Sequence, residues 1–176
     1  MNAKLLRTVP LLALLFLSAC GNAGSTANQP SPGACTDTGT ASESWPLPEP
    51  PKSDKPPIVS VTASGDTLTI TFAAGTPPYQ VITQPGSAKF AEDPSGKEVS
   101  LAGTDGVSIV LSGFRGDQKN YAGDKKITSS GPRLLEVEEL GDSEGNVSWG
   151  VGLSGPSCAV VTSSGSTLSF LFIQGS

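Results

Sequence analysis

The stretch IVSVTASGDTLTITF, residues 58–72, decides the fold. Apolar and polar residues alternate in 58–62 and again in 68–72, which is the period of a β-strand with one buried face. Ser64-Gly65-Asp66 lies between the two runs and supplies residues that favour a tight turn. We therefore predict two antiparallel strands joined as a hairpin.

The chain downstream of this hairpin repeats the same pattern. Short apolar runs are separated by glycine, proline and aspartate, and no window shows a capped helical stripe. The further strand candidates are residues 79–83, 98–101, 107–111, 134–140, 147–153, 159–162 and 168–173. Such a pattern is typical of an all-β sandwich or barrel, and we predict a single β-sandwich of about eight or nine short strands in 58–176. The segments 90–97 and 113–132 are predicted to be long connections.

The amino-terminal residues upstream of the sandwich are typical of a secretory signal. Lys4 and Arg7 precede an apolar run of about eleven residues, which is shorter than the roughly 20 residues that a membrane-spanning helix needs. We predict that residues 1–19 are a signal peptide. Residues 20–57 are rich in proline, serine and glycine and are predicted to be a disordered tether.

The tetrapeptide Leu17-Ser18-Ala19-Cys20 resembles the lipobox of bacterial lipoproteins. The resemblance implies that Cys20 receives a diacylglycerol and that the chain is held on the extracytoplasmic face of the cell membrane. Two or more acyl chains anchor a protein firmly, whereas one binds only marginally. The alternative is ordinary cleavage after Ala19, which leaves a free thiol.

Composition excludes several classes of function. Loss of Lys4 and Arg7 with the signal leaves nine basic against sixteen acidic residues, a formal net charge of −7. An acidic chain lacks the basic stripe that nucleic acid requires. The chain contains no histidine, which removes the commonest general base and the usual zinc ligand. We predict neither a cofactor nor a metal, and no enzyme activity.

Two cysteines remain once Cys20 is lipidated. Outside the cytoplasm thiols tend to oxidise, so Cys35 and Cys158 are predicted to form a disulfide. The alternative is two free, partly buried thiols.

The second half of the domain resembles the AMIN-like domain of actinobacterial secreted proteins and lipoproteins. The residues that carry the resemblance are LEV at 135–137, GDSEG at 141–145 and VSWGVGL at 147–153. The resemblance spans roughly residues 58–173 and implies a non-enzymatic β-sandwich. It is similar to the AMIN domains that target amidases and secretion proteins to the envelope through peptidoglycan.

An acidic cluster lies in the same region, and it has three interpretations. On a strand, Glu136 and Glu138 share one face while Val137 and Glu139 share the other. Together with Asp142 and Glu144, these carboxylates form a solvated sheet face, a calcium site or a pair for acid–base chemistry on a glycan. The solvated face is the simplest interpretation.

Two aromatic residues are candidates for stacking on a sugar. Trp149 lies among glycines on a predicted strand, and the alternative is that it packs in the core. Tyr79 follows two prolines and is predicted to be exposed. With Glu136, Asp142 and Glu144, these two residues form the predicted ligand-binding set.

Two further motifs have structural alternatives. The segment 150–155 spells the dinucleotide-binding pattern, but a strand rather than a helix is predicted to follow it. Its glycines are therefore expected to permit a bulge or close sheet packing. Arg115, Lys119, Lys125 and Lys126 form a basic loop that either meets anionic wall polymers or keeps the loop soluble.

Taken together, the sequence predicts a lipid-anchored binding module of the cell envelope. The expected contact is peptidoglycan or another wall polymer, bound through the sheet face and the loops around Asp142 and Trp149. The alternative is an accessory or scaffold role, in which the domain docks on an envelope enzyme or secretion complex.

Overall fold

The computed structural model describes residues 55–116 and 119–175, and this part of the chain is all-β. The predicted signal peptide, Cys20, Cys35 and nearly all of the predicted tether lie outside the described residues. The eleven strands are β1 (Ile58–Ser64), β2 (Thr67–Phe72), β3 (Tyr79–Gln84), β4 (Lys89–Ala91), β5 (Glu98–Ser100), β6 (Asp105–Ser112), β7 (Lys126–Thr128), β8 (Leu134–Ser143), β9 (Asn146–Leu153), β10 (Ser157–Ser164) and β11 (Thr167–Gln174).

Two antiparallel sheets pack face to face as a sandwich, which confirms the predicted fold class. The four-stranded sheet has the order β1-β2-β11-β10, and the five-stranded sheet has the order β3-β6-β9-β8-β7. Alternate residues of both sheets point inward and form one apolar core. Its largest fully buried side chains include Trp149, Phe72, Phe170, Phe172 and Ile109.

The first hairpin forms where the alternating pattern predicts it. Ser64 pairs with Thr67, so Gly65 and Asp66 make the turn, and Gly65 has a φ of 55° that suits glycine. The Asp66 carboxylate accepts hydrogen bonds from the backbone N–H groups of Arg133 (2.7 Å) and Leu134 (3.1 Å). The turn thereby fixes the start of β8 against the four-stranded sheet.

The outer face of the five-stranded sheet is partly covered by a third layer. Strands β4 and β5 form a separate two-stranded hairpin, whose Phe90 packs with Ala88, Leu101 and Leu140 in a second apolar cluster. Leu140 reaches this cluster because it points away from the main core. This layer covers part of that outer face, while Gln80 and Ile82 of β3 remain exposed on it.

Two strands lie where long connections were expected, so that prediction was wrong in part. Strand β4 overlaps the start of the predicted connection 90–97, and β7 lies inside the predicted connection 113–132. The described residues therefore contain more strands than the eight or nine predicted. Each strand has only three residues and a single inward side chain, Phe90 in β4 and Ile127 in β7. Period-two alternation is too short there to be detected, and pairing with a distant strand stabilises each one.

Candidate functional site

The five predicted ligand-binding residues do not converge on one site. Tyr79 and Asp142 stand in the same cross-strand row, but three strand spacings, or roughly 14 Å, separate them. Glu136 lies toward the opposite end of the same sheet, in register with Gly152. Glu144 is exposed in the β8–β9 turn, where its φ of 50° and that of Gly145 (77°) suit a tight hairpin.

Trp149 lies in the core, so of its two interpretations core packing is confirmed and surface stacking is wrong. Its side chain is 0% exposed, and its ring contacts Tyr121 edge-on with a centroid distance of 5.5 Å. Neighbouring Val147 and Val151 point to the same side. The alternation of strand β9 turns all three residues inward, which leaves the indole no access to a ligand at the surface.

Tyr79 is only partly exposed and also packs inward. Its ring meets Phe170 of the facing sheet edge-on at a centroid distance of 5.9 Å. Burial raises the pKa of its phenol above the ordinary 10.0. The residue packs at the edge of the core, which leaves only part of its side chain accessible to a ligand.

Asp142 holds a loop in place. Its carboxylate accepts hydrogen bonds from the backbone N–H of Asn120 (2.9 Å) and from the Asn120 side-chain amide (2.7 Å). Asn120 is 1% exposed, and its carbonyl accepts a bond from the backbone N–H of Ile58. The arrangement occupies both oxygens of Asp142 and ties β1 to the end of β8.

The acidic cluster is paired with the basic loop. Lys126 contacts Glu138 at 2.8 Å and Glu136 at 2.9 Å, while Lys125 pairs with Glu139 on the other side of the strand. Both lysines remain more than half exposed to solvent, as one of the two interpretations expected, and they also pair with the glutamates of β8. The predicted division of the glutamates between two faces is confirmed, since the Glu139 side chain is only 3% exposed.

The ion pairs shift the pKa values of Glu136 and Lys126. Burial raises the pKa of Glu136, but hydrogen bonds from Lys126 and from the backbone N–H of Ala102 outweigh it and hold the pKa below the ordinary 4.5. The pKa of Lys126 is raised, first by its hydrogen bond to Glu138. Glu136 and Lys126 therefore stay charged near neutral pH, where Glu136 is not a ready proton donor.

The glycines of the dinucleotide-like motif serve packing, as expected. A Cβ on Gly152 would overlap the Ala102 carbonyl oxygen, and one on Gly150 would lie 3.1 Å from both Leu140 and Phe90. The motif runs from β9 into β10 with no helix between them. Because Gly150 and Gly152 have no side chain, the β4–β5 layer can pack closely on the sheet.

The outer face of the four-stranded sheet is a polar surface that was not among the predicted sites. Inward positions hold apolar residues, so every second residue points outward, and most of these are serine or threonine. We call this surface the hydroxyl face. Its ten hydroxyl residues are Ser60, Thr62, Ser64, Thr67, Thr69, Thr71, Thr162, Ser164, Thr167 and Ser169. The signal was visible as Thr-x-Thr-x-Thr at 67–71.

The strand register arranges these residues in rows. One row runs Thr62–Thr69–Ser169–Thr162 across all four strands, and the next runs Ser60–Thr71–Thr167–Ser164. No outward position of these four strands carries a charge. The hydroxyl face ends in an aliphatic corner that contains Val160 and Leu171.

Cys158 lies on the same side of the sheet, opposite Ile173. Its side chain is 2% exposed and is not a free thiol. Because Cys35 lies outside the described residues, the pairing of the two cysteines stays a prediction.

Other features of the described residues add no second site. A shallow depression of about 300 Å³ beside the β4–β5 hairpin contains none of the predicted site residues. No three acidic or cysteine side chains in 55–116 and 119–175 are arranged to hold a metal. That part of the chain also has no helix that is long and apolar enough to span a membrane. No known protein family, curated protein or solved structure matches the chain.

Proposed function

We propose that this protein is a lipid-anchored, non-catalytic module on the extracytoplasmic face of a bacterial membrane, and that it binds a polymer of the cell wall. The lipobox at residues 17–20 and the resemblance to AMIN-like domains support the location. The uncharged, partly exposed hydroxyl face carries the proposal for binding. The carboxylates of β8 support a non-catalytic role, because lysines and backbone N–H groups already occupy them.

Lipidation is tested by metabolic labelling with a fatty acid. Cys20→Ala is expected to abolish incorporation of labelled palmitate, because the cysteine thiol is the only acceptor in the proposal. The matched variant Cys35→Ala is expected to keep the label. An unlabelled wild-type protein, or a labelled Cys20→Ala variant, would contradict the anchor.

Wall binding is tested by sedimentation of the full mature protein, kept in mild detergent, with purified insoluble cell wall. Wild type is expected to sediment with the wall. Thr69→Lys is expected to weaken sedimentation roughly tenfold, because a buried unpaired charge at the centre of a contact costs at least that much affinity. Thr128→Lys adds the same charge at an exposed position of β7 and serves as the control.

Two outcomes would contradict wall binding through this face. In one, wild-type protein stays in the supernatant. In the other, both lysine variants sediment like wild type, which places the contact elsewhere.

A protein partner is the second candidate. Val59 and Leu171, both on the four-stranded sheet, are 60% and 39% exposed, and no aromatic is among the exposed large hydrophobic side chains of the described residues. Exposed aliphatic residues on an uncharged sheet face suit a protein interface core, which is depleted in charge. A photo-crosslinker at position 171 that captures an envelope protein, together with failure to bind wall, would replace the first candidate.

A further inference from the structure

The outer faces of the two sheets differ in how many of their side chains already have partners within the protein. The β4–β5 layer and the Lys126–Glu138 pair occupy much of the outer face of the five-stranded sheet, although Ile82 stays 41% exposed there. Within the part of the chain that the structure describes, none of the ten hydroxyls of the hydroxyl face bonds to another side chain. Elsewhere serines are engaged, as Ser129 is with the Gly65 carbonyl at 2.8 Å. The hydroxyl face is thus a set of unused donors and acceptors.

The register makes this set regular. Neighbouring hydroxyls in a row stand on adjacent strands about 4.8 Å apart, and the two complete rows are about 6.8 Å apart along the strands. Each hydroxyl donates one hydrogen bond and accepts two. A matching ligand therefore has groups that both donate and accept at short, repeated intervals.

Charge narrows the ligand further. The hydroxyl face has no cation to meet phosphate or carboxylate, and the mature chain has a net charge of −7 that repels anionic polymers. An uncharged, hydroxyl-rich polymer needs no cation on the protein and is not repelled by its negative charge. We propose that the hydroxyl face binds an uncharged, extended polysaccharide, laid across the strands along its two complete rows. This inference rests on the proposed function and narrows its ligand from wall polymers in general to neutral glycans.

Each hydrogen bond to the ligand is expected to contribute little affinity, and the contributions of many bonds are expected to accumulate. An exposed hydroxyl already bonds to water, so each exchanged bond changes affinity only about two- to tenfold. Affinity is therefore expected to rise with the length of the oligosaccharide until both rows are filled. Because no charges take part, retention is expected to change little with salt.

The test uses glycan released from purified wall and separated by anion exchange into neutral and acidic fractions. The full mature protein is passed over each immobilised fraction. We expect retention on the neutral fraction, at low and high salt alike. The double variant Thr69→Val, Thr71→Val keeps shape and strand preference but loses two central hydroxyls, and it is expected to bind about fivefold or more weakly. Thr69→Ser, Thr71→Ser keeps the hydroxyls and should restore most of the binding. Thr128→Val, on β7, is the matched control.

The outcomes separate this inference from the proposed function. Binding to whole wall but not to the neutral fraction would overturn the neutral-glycan assignment and leave wall binding intact. Equal retention of the valine and serine double variants would overturn the role of the hydroxyls. Absence of binding to whole wall would remove both proposals. Thermal unfolding of each variant confirms that a loss of retention does not come from loss of fold.

Discussion

Replacing Gly152 with alanine is expected to lower the free energy of unfolding by about 3 kcal/mol, the upper range for overpacking a dense interior. The new methyl group would overlap the Ala102 carbonyl oxygen and lie 3.0 Å from the Leu101 side chain. The backbone that carries Ala102 leads directly from the β4–β5 layer into β6. Relief of the overlap therefore requires the third layer to lift from the sheet.

Gly155→Ala is the matched control from the same motif. Nothing lies within 4 Å of a Cβ at this position, so we expect a change of about 0.5 kcal/mol or less. Urea denaturation of the two variants measures the difference. Equal stability of Gly152→Ala and wild type would show that the third layer does not dock as described.

Trp149→Ala is expected to lower the free energy of unfolding by about 3–5 kcal/mol, the range for deleting a large aromatic side chain from a core. The indole is 0% exposed and fills the space between the sheets beside Tyr121. Trp149→Phe keeps part of this volume and should fall between wild type and alanine. Val59→Ala, at a position that is 60% exposed, should be nearly neutral.

The same variants separate a core residue from a ligand contact. If Trp149 stacked on a sugar, Trp149→Phe would lose wall binding while its stability stayed unchanged. We expect the reverse, with stability reduced and sedimentation with the wall unchanged at temperatures where the variant is folded. Denaturation and sedimentation of one preparation give both readouts.

Local pattern was sufficient to predict the main strands and β5 of the third layer, but not β4 or β7. The first hairpin could be predicted because alternation and turn chemistry agree within residues 58–72. Strands β4 and β7 could not, because their stability comes from partners far along the chain. Lys126 is opposite Glu138, and Phe90 packs on Leu140. Neither β4 nor β7 lies in an alternating run from which such pairing could be predicted.

In the candidate site, too, local features could be predicted from the sequence, whereas contacts between distant residues could not. The sequence placed Glu136 and Glu138 on one face correctly, because that follows from alternation alone. It could not show that Asp142 is bound to Asn120, 22 residues away. The Thr-x-Thr-x-Thr pattern at 67–71 was visible, but its rows depend on β11 lying between β2 and β10. Strand order is a long-range property that one hairpin does not determine.

Nuclear magnetic resonance mapping of the bound surface tests the central claim most directly. Neutral wall oligosaccharide is titrated into the isotope-labelled full mature protein, and the shifted backbone amide signals are assigned. We expect the largest shifts to cluster on β2 and β11, around Thr69, Thr71 and Ser169. Shifts confined to the β8–β9 turn, or a spectrum unchanged at saturating glycan, would contradict it.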